Sequence, residues 1–429
     1  MKNFLLEILK RTLGFLAKLT LWRFKPKVIA ITGSVGKTSA KEAIYAVLKN
    51  YRKTRKSVMN LNNELGLPIS IIGDWPESDL KLVSKDFPAG RKKGKKFLFW
   101  LRVITAGFLN IIIGRKKSYP EIIILEYGAD RPGDIKKLTD IAKPNVGVIT
   151  LVGEIPVHVE FFSGPEAVAR EKAKLIEVLF SNDFAVLNFD NPIVMNMKEK
   201  TRAKIVTFGF NEGADLRISN LENYFDNGLP SGISFKMEYG GSIVPVNIKN
   251  SFGKSSAYAS AAAACAGLIF DLNLVEISEA LSLNYKSSKG RMKFLKLKNG
   301  ATLIDDSYNA SPDSMKELIE TVSGIPAKRK IAILGDMLEL GDYSEESHKE
   351  VGRLSANVFN VLICIGEKSV IVASSAKRTG FSSDALYVFE NADKAIGMIK
   401  SIIEKGDLIA VKGSRAIGLD KTVEEIIKG

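Results

Sequence analysis

Lys37, Thr38 and Ser39 place an amine and two hydroxyls directly after the glycine-bracketed turn Gly33-Ser34-Val35-Gly36, a combination suited to binding phosphate. Val28 to Ile31 reads as a short buried strand, and the chain from Thr38 onward reads as the start of a helix. A strand that feeds a glycine loop and a helix N-terminus aims free backbone N–H groups and the positive end of the helix dipole at an anion. On this reading the amides of Gly33, Ser34, Val35 and Gly36 cradle nucleotide phosphates. Lys37 reaches the outer ones, Thr38 carries Mg²⁺ on its hydroxyl, and Ser39 stands beside it. The generic loop has a glycine where this chain has Ile31, so the match is to the shorter TGxxGKT[ST] form. An ordinary tight turn is the competing reading, and the full order of strand, glycines, Lys-Thr-Ser and helix speaks against it.

Other residues could complete such a site. Glu126 ends the apolar run Ile122 to Leu125, and a carboxylate at the C-terminal end of a buried strand beside a phosphate loop is placed to hold Mg²⁺. His158, one of two histidines, follows a predicted strand at 146–151; its type fits a hydrogen-bonded structural residue as well as a metal ligand. Lys172 shares a predicted helix with Arg170 and Lys174, and spacing does not single it out. Three polar loops follow predicted strands in the C-terminal third, at Asp305 to Pro312, Leu334 to Gly341 and Val411 to Arg415. Each alone reads as a capping turn. Together, at the C-terminal ends of strands in one open sheet, they read as a ligand edge.

The elements that must position these residues alternate strand with helix. This pattern predicts an α/β chain with a P-loop-type doubly wound central domain and a smaller Rossmann-like C-terminal domain. Strands are expected at 184–187, 303–304, 331–334, 361–365, 386–389 and 408–411. Helices are expected at 166–179 and, Ala-rich, at 255–268, with a small β excursion at 214–250. We divide the 429 residues into an amphipathic segment 1–24, a central domain 25–290 with a basic and apolar insertion at 88–118, and a C-terminal domain 291–429.

The net charge is +14. Much of it lies in runs such as Arg91 to Lys96 and Arg115 to Lys117, without the interleaved aromatic residues of a nucleic-acid stacking surface. The runs flank apolar segments, so we expect an anionic membrane surface and no nucleic acid as partner. Phe4 to Trp22 is apolar with one polar stripe at Glu7, Arg11, Gly14 and Lys18. Phe97 to Gly114 reaches the threshold length of about 18 residues for a spanning helix. A span there would put Lys37 and Glu126 on opposite sides of a bilayer, so both segments are expected to lie on the membrane; helices buried against the domain are the alternative. Cys265 and Cys364 lie in apolar runs and read as free buried thiols in a reducing cytoplasm.

The strings TGSVGKTS (32–39), NLNNELGLP (60–68), LEYGADRPGD (125–134), HVEFF (158–162), AREK (169–172), GRM (290–292), IDDSYNASPDSM (304–315), LGDMLELG (334–341) and VKGSR (411–415), with His348, resemble the Mur ligase family. The closest resemblance is to the branch that adds D-alanyl-D-alanine to UDP-N-acetylmuramoyl-tripeptide in cell-wall precursor synthesis. The resemblance implies a cytoplasmic, monomeric, ATP-dependent ligase; the basic segments, read on their own, place it at the inner face of the membrane. It implies that Lys37 and Thr38 hold phosphates and a first Mg²⁺, that Glu126 and His158 are metal ligands, and that Lys172 is carbamylated and supports a second Mg²⁺. It implies nucleotide contacts from Arg291, Asp306 and Asn309, and substrate contacts from Asn62, Asn63, Asp336 and Glu339. Two departures stand out. The family carries a UDP-binding domain before the phosphate loop, where this sequence has residues 1–24. Ala259 stands where the family has an adenine-side Asn. A different or lipid-linked acyl substrate therefore stays open. So does a membrane-peripheral NTPase without ligase chemistry, for which the C-terminal loops would have no use.

Overall fold

A computed structural model describes residues 2–59, 61–83, 93–226 and 229–428. Asn60, and Arg91 and Lys92 with the rest of 84–92, fall outside the described residues, so part of the quoted 60–68 string and the start of the insertion carry no structural statement.

The first sheet contains β1 (Lys27–Thr32), β2 (Thr54–Lys56), β3 (Ile122–Glu126), β4 (Val146–Ile149), β5 (Phe184–Asn188), β6 (Lys204–Gly209), β7 (Leu216–Asp226), β8 (Leu229–Tyr239) and β9 (Ser242–Lys249). Their spatial order is β2-β3-β1-β4-β5-β6-β7-β8-β9. The ladders from β2 through β7 are parallel, and β7, β8 and β9 pair antiparallel. Short β-branched runs such as Val28–Ile31 and Ile122–Leu125 are buried on both faces, as parallel strands covered by helices must be. The chain leaves β1 toward β2 and β3 on one side and returns to β4 on the other. The loop after β1 therefore lies at a switch point, where crevices open in such sheets.

Helix α1 (Lys2–Phe24) precedes the sheet, α2 (Lys37–Leu48) follows β1, and α3 (Gly66–Ile72) follows β2. The Ala-rich helix Lys254–Ile269 packs on α2; a Cβ on its Gly267 would lie 3.1 Å from Val47 Cγ1, so small residues let the two helices close up. The β excursion of 214–250 is the β7-β8-β9 meander.

The second sheet contains β10 (Lys293–Lys296), β11 (Thr302–Asp305), β12 (Arg329–Gly335), β13 (Val361–Ile365), β14 (Leu386–Phe389) and β15 (Asp407–Lys412), in the order β10-β11-β15-β12-β13-β14. Only β10 runs antiparallel to its neighbour. The ends of β11, β12 and β15 thus share one edge, and those are the strands that carry the three polar loops.

The apolar insertion is a helix, Lys93–Ile113, laid against α1 and α3. Phe99, Val103 and Gly107, spaced by four, form its inner stripe. Phe99 and Val103 join Leu13, Leu16, Ile69, Ile72 and Trp75 in one apolar cluster, and a Cβ on Gly107 would press to 3.2 Å from Leu16 Cδ1. The last carbonyls of α3 need donors. Asn110 Nδ2 reaches Ile72 O at 3.0 Å, while Tyr119 OH and Arg55 Nη1 reach Ile71 O at 2.6 and 3.0 Å. The expected polar stripe of α1 needs correction. Gly14 is buried near Ile141, and the outward line instead mixes Arg11 and Lys18 with Phe4, Ile8, Phe15 and Trp22.

Because Leu16 is fully buried in the cluster that ties α1 to the domain, Leu16→Ala should lower stability by about 2–5 kcal/mol. Urea unfolding of the full chain measures this. An unchanged midpoint would mean that α1 does not belong to the folded core.

Candidate active site

The turn after β1 has backbone geometry that only glycine supplies. Gly33 has φ +150° and Gly36 has φ +88°. A Cβ on Gly33 would fall 2.1 Å from Thr150 Oγ1, whose hydroxyl donates to Val35 O at 2.6 Å. Ser34 N donates to Leu151 O at 2.6 Å, which pins the loop to the segment after β4. Helix α2 begins at Lys37 without a side-chain cap, so its first turn offers N–H groups to the cavity. The Ser34 hydroxyl is buried and unpartnered, and Lys37 Nζ rests on the loop's own Gly33 O at 2.7 Å. An orphan hydroxyl and an amine turned back onto its own loop fit an anion's place.

The charges behind the loop are buried. Glu126 is 3% exposed; Thr38 Oγ1 donates to its Oε2 at 3.0 Å and Asn62 Nδ2 to its Oε1 at 3.5 Å. Burial alone would raise its pKa, but Lys41, Lys37 and Arg291 together hold it below the ordinary carboxylate value. Lys41 Nζ lies 3.7 Å from the same carboxylate and donates to Met59 O at 3.1 Å. Burial lowers the Lys37 pKa, with attraction to Glu126 offsetting part of the effect. Burial, and then the nearby charge of Lys37, drops Lys172 to about 7. A substantial fraction of its amine is therefore neutral near pH 7 and able to react as a nucleophile.

His158 adopts the left-handed conformation, φ +71°, costly for a residue with a Cβ. Its Nδ1 lies 2.6 Å from Glu339 Oε2 and its Nε2 3.4 Å from Asp130 Oδ1. Glu339, also at positive φ (+63°), comes from the loop after β12, so this contact joins the two sheets.

The second sheet supplies the opposite wall. Asp306, after β11, is ion-paired with buried Lys412 at the end of β15, and its Oδ1 accepts from Met292 N at 3.1 Å. Burial raises its pKa despite that partner. The pair fixes the Gly290–Met292 turn, whose Arg291 guanidinium stacks 4.1 Å from the Tyr308 ring centroid. Lys412 Nζ also donates to Asn309 O at 2.9 Å.

One cavity of about 290 Å³ runs between these walls. Gly33 to Lys37, Ser39, Glu126, His158 and Lys172 face it from the first sheet, with Asn62 and Asn63; Arg291, Asp306 and Asn309 face it from the second. Thr38 lies beneath, on Glu126. Asn63 also ties down the turn before α3, its Oδ1 accepting from Leu65 and Gly66 N at 3.1 and 3.0 Å. Asp336 does not meet the cavity, contrary to the expectation for it. Its buried carboxylate accepts from Ser369 N at 2.6 Å, at the start of the helix that follows β13. Glu339 reaches His158 but does not line the cavity. His348 is likewise structural: Nε2 accepts from Met337 N at 3.0 Å and Nδ1 lies 2.6 Å from Ser344 O. A neighbouring pocket joins apolar Val35, Phe208, Tyr258 and Ala259 to a charged rim of Lys254, Asp313, Lys316, Glu317 and Glu320.

Among the described residues no three His, Cys, Asp or Glu side chains converge as a metal cage. Mg²⁺ keeps several waters and takes one or two carboxylates plus phosphate oxygens. Thr38 and Glu126 suit a first ion. Lys172 as an ammonium cannot bind a cation, and as a carbamate it can.

Lys41 is absent from the sequence-based expectations, and Lys412 enters them only as part of the 411–415 loop. Lys41 had a signal: it falls four residues after Lys37, on the same face of α2. Gly33→Ala should weaken ADP binding by at least about tenfold, equivalent to 1.4 kcal/mol, with the circular dichroism spectrum unchanged. Calorimetric titration gives the answer, and wild-type affinity would remove the loop from nucleotide binding.

Comparison with known proteins agrees with this geometry. The Mur ligase middle domain matches residues 109–267, and the Mur ligase glutamate ligase domain matches 290–415. The chain is 27% identical over 420 residues to the UDP-N-acetylmuramoyl-tripeptide–D-alanyl-D-alanine ligase of Bacillus subtilis, covering 96% of this chain and 78% of that one. It is 28% identical over 423 residues to the enzyme of the same name from Rickettsia prowazekii, covering 93% and 78%. The structure of MurF ligase from Thermotoga maritima in complex with ADP superposes with TM-score 0.77 at 27% identity, covering 98% of this chain and 83% of that one. Folylpolyglutamate synthase from Mycobacterium tuberculosis, at TM-score 0.67 and 15% identity, shares the fold. With the phosphate loop, the two facing sheets and both domain matches in place, the chain belongs to the Mur ligase family.

Proposed function

We propose that this chain is an ATP-dependent, ADP-forming ligase that joins D-alanyl-D-alanine to UDP-N-acetylmuramoyl-tripeptide. The observation that carries the reading is the single cavity in which the phosphate cradle of one sheet faces Arg291 and Asp306 of the other. The near full-length similarity to ligases of that name supports it.

In the reaction a substrate carboxylate oxygen attacks the γ-phosphorus of ATP, the bond to the β-phosphate oxygen breaks, and ADP leaves. The dipeptide amine then attacks the acyl phosphate carbon, inorganic phosphate departs, and the amine loses a proton. Lys37 and the loop amides meet the charge of the transferred phosphoryl group, which is where preorganised donors contribute most. Thr38 and Glu126 would hold one Mg²⁺, and His158 with a carbamylated Lys172 would hold a second; bound there, the ions would supply Lewis-acid neutralisation of phosphate oxygens. Arg291 and the Asp306–Lys412 pair hold the nucleotide from the second domain, so domain closure assembles the site.

A second reading, a lipid-linked acyl substrate, is favoured by one observation: the cavity extends to Val83 and Trp100, next to the apolar helix 93–113. ADP release and product mass, measured with UDP-linked and with lipid-linked muramoyl tripeptide, separate the two. ADP release without amide product from either acceptor overturns the ligase assignment.

Lys37→Ala should cut turnover on the order of a hundredfold or more. Near-normal ligation by this variant would contradict the role given to the loop. If Lys172 acts as an anionic carbamate, Lys172→Ala loses ligation and short carboxylic acids in the assay restore part of it, whereas Lys172→Arg does not work. Full activity of Lys172→Arg would mean that a cation serves there.

A further inference from the structure

The helix Lys93–Ile113 is predominantly apolar beyond its first turn, with mean hydropathy 1.7 over Gly94–Ile113, yet only 17% of that stretch is buried. Such a helix normally lies in a protein core or in lipid. Its inner stripe is accounted for by Phe99, Val103 and Gly107. Its outer side leaves Phe97, Leu98, Leu101, Phe108, Ile112 and Ile113 in the open, with Ile112 72% exposed. Alongside it, the outward line of α1 runs Phe4, Ile8, Arg11, Phe15, Lys18, Trp22, with Trp22 70% exposed. These two helices carry half of the large apolar side chains that stand exposed among the described residues. A contiguous apolar face of this kind marks an interaction surface.

Charge says what covers it. Over residues 1–25 and 93–117, Lys and Arg number thirteen and Glu one, with no Asp. That Glu, Glu7, is paired to Lys10 at 2.8 Å. Lys95 and Lys96 stand exposed near one end of helix 93–113, and Arg115, Lys116 and Lys117 beyond the other. A second copy of the chain docked here would bring the same sign against itself. A bilayer with anionic headgroups meets both the apolar strip and its basic margins.

The helix does not cross the membrane. Its inner face is in the folded cluster with α1 and α3, and Asn110 is bonded to Ile72 O. The chain on either side returns to one sheet, where β1 pairs with β3.

We propose that the outward faces of α1 and helix 93–113 form a monotopic dock that lies in the headgroup layer of an anionic membrane. Trp100 of the same helix lines the active-site cavity, so the dock holds the rim of that cavity at the bilayer surface.

Flotation of the full chain at low salt, with vesicles of phosphatidylcholine alone or mixed with phosphatidylglycerol, tests this. The protein should float with the mixed vesicles and partition at least about tenfold less onto phosphatidylcholine alone, and added salt should weaken the anionic preference by screening. The double variant Phe108→Glu with Ile112→Glu should stay in the soluble fraction while binding ADP as the wild type does. Wild-type protein that remains soluble with both vesicle types overturns the dock. So does a stable dimer in solution that the double variant dissociates, since the face would then be an interface between copies. The outcome does not depend on which acyl substrate is ligated, so failure here leaves the ligase reading standing.

Discussion

The cleft is governed by the cost of keeping several amines out of water around one carboxylate. Lys37, Lys41 and Arg291 gather about Glu126, while Lys172 lies beside Lys37 with Asp130 and Glu171 as its acidic neighbours. A buried charge is tolerated when paired, and like charges in a poorly screened space raise each other's cost. The strain is visible in Lys172, whose amine is driven to about 7 by burial and by Lys37. It is visible also in Lys37, which turns onto Gly33 O. A chain of phosphates is the ligand that relieves this arrangement, with Thr38 and Glu126 as the residues that would hold Mg²⁺ beside it.

The fold exists to hold these groups still. The switch point between β1 and β4 opens the phosphate loop, and Thr150 and Leu151 lock it from the far side. The second sheet brings Arg291 by a different device, a buried Asp306–Lys412 pair that fixes the Gly290–Met292 turn. His158 and Glu339, each in a left-handed conformation, touch across the divide. Strain of that kind persists where surrounding structure over-determines it, which ties the relative placement of the two sheets to the site.

Much of this was legible in the sequence because it is local. The strands around Val28, Ile122 and Ile331 are short β-branched runs, and the loop glycines announce their own turn. The second-domain loops were found by their position at strand ends. What sequence could not give is where a polar side chain spends its hydrogen bonds. Asp336 stood in a loop of the right kind, yet its carboxylate is used by Ser369 N. Lys412 read as one charge of a strand-end loop, and only the pairing of β11 with β15 brings it to Asp306. The polar stripe of α1 was misassigned at Gly14 because helical periodicity does not reveal which neighbour, here Ile141, a helix leans on.

The central claim is that phosphate charge completes the cleft. Ligands that bind only the folded state raise its melting temperature by mass action. Thermal unfolding in Mg²⁺ with adenosine, ADP and a non-hydrolysable ATP analogue, at equal concentration, tests the claim directly. We predict a stabilisation that grows with the number of phosphates and is smallest for adenosine. Equal shifts for adenosine and the triphosphate, or none for either, would contradict the account.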